Sequence, residues 1–256
     1  IERTDIPGLD WVASFPVGAA LVTVLAVAGV ANALNIIDGF NGLASMCAVL
    51  ILGSLGYVAF QVGDNVVMWL AVAGAGALLG FFVWNFPLGL IFLGDGGAYF
   101  VGFYVAELAI LLLHRNPGVS PMFPLLVCIY PIFETLFSIY RRVVLRGRSP
   151  GMPDGIHLHS LIYRRVIRWA VGDRSAKALT RRNSMTSPYL WVLCMLSTIP
   201  AMLFWNNTAV LAGFLLLFAI SYVGLYWRIV RFRAPRWMRS LGSRPVPLGR
   251  EDNRRT

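Results

Sequence analysis

Charge is scarce in this sequence, and acidic charge is scarcer still. Only 13% of the 256 residues are charged, whereas a soluble domain carries about 25%. With 57% of the residues hydrophobic, a water-soluble globule is excluded: a protein core cannot hide that much apolar surface, but lipid can. Cysteine is nearly absent. Cys47, Cys128 and Cys194 each stand alone in an apolar run with no metal-ligand spacing, so they read as small packed hydrophobes. There is no Walker-type phosphate loop, no Gly-x-Gly-x-x-Gly and no Gly-x-Ser-x-Gly, so nothing supports nucleotide hydrolysis, hydride transfer or serine catalysis. Internal repeats and low-complexity tracts are missing too. The chain opens at Ile1 rather than Met, with no basic n-region or signal-peptide pattern; the expectation is that a segment upstream is absent.

What the sequence does have is apolar runs long enough to cross a hydrocarbon layer, which takes about 20 helical residues. Seven spans are predicted, at 16–35, 44–62, 66–86, 98–114, 121–141, 187–205 and 208–228. Helices are favoured over barrel strands because the runs are continuously apolar and do not alternate. The expected fold is an all-α integral membrane protein, a multi-pass helix bundle forming one domain over 1–256. It carries a loop at 142–186 and a basic tail at 229–256. In a soluble protein the net charge of +10 would suggest nucleic acid. Here every Lys and Arg except Arg3 and Arg115 falls in 141–182 or beyond 227, so the lipid bilayer, not nucleic acid, is the expected partner. Two spans separate the basic regions, which places both, with the C-terminus, in the cytoplasm. Within the loop, Leu161, Ile162, Val166 and Ile167 among arginines read as an amphipathic helix at the lipid surface or, equally, as a solvated basic loop in the second half.

On this topology three polar clusters share the cytoplasmic face: 35–42, 94–97 and 154–159. Asn32, Asn35 and Asp38 recur every third residue at the end of a span. Carboxylate and amides at a membrane boundary are costly unless they face a polar interior, so metal and phosphate binding is weighed against simple helix capping ended by Gly39. Asp95, between Gly94 and Gly96-Gly97, suits Mg²⁺, which takes one or two protein carboxylates and fills its shell with phosphate and water. The alternative is a turn whose Asp caps the next helix. His157 and His159, followed by Arg164 and Arg165, suit anion binding better than zinc, for which a third ligand is missing. A solvated surface loop is the bland alternative. Glu107 and Glu134 are acids inside apolar spans and are left without a role beyond interhelical hydrogen bonding.

The strings Asn32-Ala-Leu-Asn35-Ile-Ile-Asp38-Gly-Phe-Asn41-Gly-Leu-Ala44 and Phe92-Leu-Gly94-Asp95-Gly-Gly-Ala98, followed by His157-Leu-His159, resemble the polyprenyl-phosphate N-acetylhexosamine-1-phosphate transferases. That superfamily includes the undecaprenyl-phosphate GlcNAc-1-phosphate transferases and the phospho-MurNAc-pentapeptide translocase. The resemblance covers roughly 16–170. It implies transfer of N-acetylhexosamine-1-phosphate from a UDP-sugar to undecaprenyl phosphate, releasing UMP and initiating O-antigen-like polysaccharide, at the bacterial inner membrane, with Mg²⁺ (or Mn²⁺) and in a homodimer. It implies further that Asp95 holds the metal and that Asn35 contacts the metal or the pyrophosphate. Asp38 would stand beside the phosphates or help shape the nucleotide site, with Phe92 near the uracil and Asn41 at the nucleotide. His157 and His159 would bind phosphate or sugar, with Gly94 and Arg164 at the substrate. Asn41 replaces an Asp common in the family, Ser160 replaces a His, and the family's paired-aspartate motif has no counterpart here. A non-catalytic transporter or lipid-binding bundle is the rival reading; it predicts inverted repeats, which the sequence lacks.

Overall fold

The computed structural model describes residues 1–147, 156–167 and 175–231, and among these there is no strand. A short helix α1 (Pro7–Ala13) precedes four long ones: α2 (Pro16–Ile37), α3 (Leu43–Gln61), α4 (Asn65–Asn85) and α5 (Gly94–Arg115). Next come α6 (Met122–Val127), α7 (Ile129–Arg146) and α8 (Leu158–Leu161), which runs on as a wider π turn over Ile162–Ile167. The chain continues as α9 (Ala176–Leu203) and α10 (Thr208–Arg231). Helices α2, α3, α4, α5, α9 and α10 are long and apolar enough to cross a membrane. The protein is an all-α, multi-pass membrane protein.

The segment expected as a fifth continuous span, 121–141, is broken at Cys128 into α6 and α7. Pro131 has no N–H to offer Val127, so the helical ladder is interrupted there and α7 opens at Ile129. Glu134, Arg141 and Arg142 then make α7 too polar to count as a spanning helix. The pair still traverses the bundle. Just before α6, the Ser120 hydroxyl lies 2.7 Å from that of Thr208, which opens α10. Near the far end of α7, Arg141 bonds Tyr226, close to the end of α10. With α6 and α7 taken as one traverse, the described residues cross the bundle seven times.

Two features bring the polar clusters together. A Cβ added to Gly102 would lie 2.5 Å from Ala31 Cα, so α2 and α5 touch backbone to backbone. That contact carries the end of α2 to the start of α5. The second feature is α3, whose Ile51, Leu52, Leu55 and Val58 are wholly buried. With α4 and α9 around it, α3 anchors the loops at its N-terminus. Val24, Trp69, Phe100 and Leu216 instead stand exposed on the outside of the bundle, as lipid-facing side chains do. Residues 154 and 155, most of the basic tail and part of the 142–186 loop lie outside the described residues.

Candidate functional site

Asn35, Asp38 and Asp95 meet where α2 ends and α5 begins. The Asn35 Nδ2 donates to Asp95 Oδ1 at 3.1 Å. Asp95 sits exposed in the first turn of α5 and does not cap it; the N-cap is Leu93, with no side-chain bond to the helix. Asp38 closes α2 and is partly buried. Burial, and then the Asp95 carboxylate beside it, push its pKa up to about 7. An acid whose ionisation is hindered by burial and by a neighbouring carboxylate, with an amide alongside, belongs to a donor set that a hard divalent cation would relieve. Among the described residues no group of three or more His, Cys, Asp or Glu side chains is arranged to hold a metal ion. A donor set this small, Asp95 with Asn35, suits a cation that fills its shell with water and phosphate oxygens rather than an all-protein cage.

The loop after Asp38 is held from below. Gly42, not Gly39, adopts the left-handed conformation, at φ 72°. A Cβ there would lie 2.8 Å from the Phe82 ring and 2.9 Å from Phe86 Cβ, so only glycine fits. Its N–H donates to Asn85 Oδ1 at 2.5 Å, and Asn85 Nδ2 donates to the Ile91 carbonyl at 2.7 Å. Asn41 differs from expectation. It is 5% exposed, and its Nδ2 donates to Ser184 Oγ at 3.0 Å and to the Pro87 carbonyl at 3.4 Å. Its backbone N–H reaches Asn183 Oδ1 at 2.7 Å, and its carbonyl accepts from Ser187 Oγ at 2.6 Å. Asn41 thus ties the loop to α9 rather than presenting its amide to a nucleotide. The helical start of α9, eleven residues upstream of the span expected at 187, supplies Asn183 and Ser184.

The histidines are buried, not solvated: His157 is 9% and His159 4% exposed. Their rings stack with centroids 5.0 Å apart and 12° between planes. His159 packs edge-on against Phe40 at 5.3 Å, and its Nε2 would lie 3.9 Å from a Cβ on Gly39. The His-x-His segment therefore lies against the Asp38–Phe40 loop. The helix that follows turns Leu158, Leu161, Ile162 and Ile167 into the bundle, packed on α9 and α10 rather than spread on lipid. Arg164 is exposed, and Arg165 donates to the Ile229 carbonyl at 3.4 Å and to that of Val230. Phe92 is 74% exposed on the loop before Gly94, whose φ of 67° turns the chain into α5.

Sequence reasoning left Glu134 without a role, yet it lies beneath both histidines, 3.3 Å from His157 Nδ1 and 3.9 Å from His159 Nδ1. An acid inside an apolar span was the available signal. Glu107, the other such acid, stands on the exposed face of α5. A cavity of about 500 Å³ lies elsewhere, between α2, α5, α6 and α7. It approaches the polar residues only at Asn32, and its almost wholly apolar walls suit hydrocarbon rather than phosphate.

Residues 1–113 match the family described as glycosyl transferase family 4. The chain is 34% identical over 139 residues to a probable undecaprenyl-phosphate N-acetylglucosaminyl 1-phosphate transferase of Bacillus subtilis, covering 54% of this chain and 38% of that one. It is 29% identical to an undecaprenyl-phosphate alpha-N-acetylglucosaminyl 1-phosphate transferase of Yersinia pestis, over 83% of this chain and 57% of that one. To a phospho-N-acetylmuramoyl-pentapeptide-transferase of Lactiplantibacillus plantarum it is 33% identical, over 60% and 46%. Residues 1–113 thus resemble glycosyl transferase family 4, and over the stretches given the chain is similar to these phosphosugar transferases. It spans 38–57% of the length of these three relatives.

Proposed function

We propose that this chain carries the transfer site of an enzyme moving N-acetylhexosamine-1-phosphate from a UDP-sugar to undecaprenyl phosphate, an opening step of cell-surface polysaccharide synthesis of the O-antigen kind. The observation that carries the reading is the junction of α2 and α5, where Asn35 bonds Asp95 and Asp38 stands beside them, with the stacked histidines against the adjoining loop. An oxygen of the lipid phosphate attacks the β-phosphorus of the UDP-sugar, the bond to the UMP oxygen breaks, and UMP leaves. The attacking phosphate is already ionised, so no strong base is required, and catalysis is mostly positioning and charge neutralisation.

Asp95 and Asn35 are the residues that would hold Mg²⁺, or Mn²⁺ in its place, with Asp38 beside the phosphates. The cation would supply charge neutralisation for the diphosphate. His157 and His159 are proposed to meet phosphate or sugar, and the exposed Arg164 is the donor proposed for phosphate. Phe92, exposed beside Gly94, is proposed for the uracil. By the distribution of its arginines, this face is assigned to the cytoplasmic side of a bacterial inner membrane.

The test is isotopic. Membranes containing the protein receive undecaprenyl phosphate, Mg²⁺ and a UDP-N-acetylhexosamine labelled in the β-phosphate. Label should pass into the lipid fraction in equal amount with released UMP, and Asp95→Asn should reduce both by about a hundredfold or more. Label leaving in UDP, or Asp95→Asn transferring at the rate of the unaltered protein with saturating Mg²⁺, would overturn the assignment.

A further inference from the structure

Glu134 is 1% exposed in the middle of a traverse, where a carboxylate is expensive unless its oxygens are fully engaged. They are engaged almost entirely by the histidine segment. Its Oε1 accepts the Leu158 N–H at 2.7 Å and faces both imidazole Nδ1 atoms, at 3.3 Å from His157 and 3.9 Å from His159. Its Oε2 accepts the Tyr222 hydroxyl at 2.7 Å. Two turns further along α7, Arg141 donates to the Ile156 carbonyl at 2.5 Å and to the Tyr226 hydroxyl. The backbone on either side of His157 is therefore fixed by α7, and the carboxylate lies under the rings rather than beside the loop.

The rings are nearly parallel, so with both Nδ1 atoms turned to one carboxylate both Nε2 atoms point away from it. For His159 that direction is toward Gly39, next to Asp38. A carboxylate at Nδ1 fixes the proton there and decides what the opposite nitrogen presents. The geometry points to Glu134 as the positioning residue of the histidine pair: it holds both imidazoles with an Nδ1 proton inward, so that both Nε2 atoms face the substrate site as acceptors for a hydroxyl of the sugar. This role rests on the transfer reading above, and it gives α7 a function in a reaction whose other residues lie on α2, α5 and the His-x-His segment.

A carboxylate that merely pinned the loop through Leu158 would behave differently, and Glu134→Gln separates the two, since glutamine keeps an acceptor for Leu158 N–H and loses the charge. The chain has three histidines, and the third, His114, is exposed at the opposite end of α5, a built-in reference. In the intact protein labelled with ¹⁵N-histidine, two imidazoles should carry an Nδ1 proton. Glu134→Gln should shift both toward the Nε2–H tautomer and leave His114 unchanged, and Tyr222→Phe should shift them less in the same direction. Glu134→Gln should lower kcat for UMP release about tenfold or more with KM for the UDP-sugar little changed. In a His157→Ala/His159→Ala background the same substitution should cost less than about twofold. Unmoved imidazole signals in Glu134→Gln, or an equal fold loss with and without the histidines, would overturn the role. If the unaltered protein releases no UMP, the transfer reading fails, while the ¹⁵N signals still decide whether Glu134 governs the rings.

Discussion

Asp38 shows how a single side chain reports on the site. Its proton is held more tightly than that of an ordinary aspartate, with the pKa moved from 3.8 to about 7 by burial and by Asp95. The sign follows from linkage: the folded chain binds the proton better than the unfolded chain. The stability it contributes is complete below about pH 4 and is lost as pH rises through about 7. Asparagine at 38 has no proton to lose. In metal-free detergent, the melting midpoint of Asp38→Asn should therefore gain on that of the unaltered protein between pH 4 and pH 8. A difference between the two that stays constant with pH would mean that Asp38 is not strained by its surroundings.

At the scale of elements, the site depends on how helix ends are tied. Asn85 closes α4 with 6% exposure and bridges the Gly42 N–H and the Ile91 carbonyl, thereby fixing the loops that follow Asp38 and precede Asp95. Removing its amide leaves the buried Gly42 N–H without its acceptor, at about 1–3 kcal/mol, and the Ile91 carbonyl, on an exposed residue, to water. Asn85→Ala should lower the denaturation midpoint accordingly, by several degrees; an unchanged midpoint would show that water replaces the amide. These ties were the part of the site that the sequence hid. The apolar runs predicted the helices, because lipid demands continuous hydrophobicity, and the every-third spacing of Asn32, Asn35 and Asp38 placed polar groups at the end of α2. The break at Cys128, the burial of Asn41 and the meeting of Glu134 with two histidines 23 and 25 positions later depend on which helices become neighbours, and periodicity carries no such information. The left-handed glycine of this loop is Gly42, over which the Phe82 and Phe86 rings close, and no sequence pattern marked it.

Across the whole molecule the two ends are unlike. One end is a structural latch. Asp64, 6% exposed, accepts from Arg115 Nε at 2.7 Å and Asn116 Nδ2 at 2.9 Å. The same end has Arg3 donating to the Pro117 and Val119 carbonyls at 2.9 and 2.7 Å. Arg115 keeps the Asp64 carboxyl below the usual carboxylate range, as expected of an acid engaged in holding loops. The other end gathers Asn35, Asp38, Asp95, His157 and His159, and it is the end where the arginines accumulate. The central claim, that this end is a phosphosugar transfer site facing the arginine-rich side, is open to a direct measurement. The intact protein is reconstituted in sealed vesicles of known orientation with undecaprenyl phosphate, and a UDP-N-acetylhexosamine is supplied to one side at a time. UMP should appear only when the nucleotide sugar meets the face carrying the Asp38 and Asp95 loops; UMP released equally from both faces, or from the Asp64 face alone, would contradict the account.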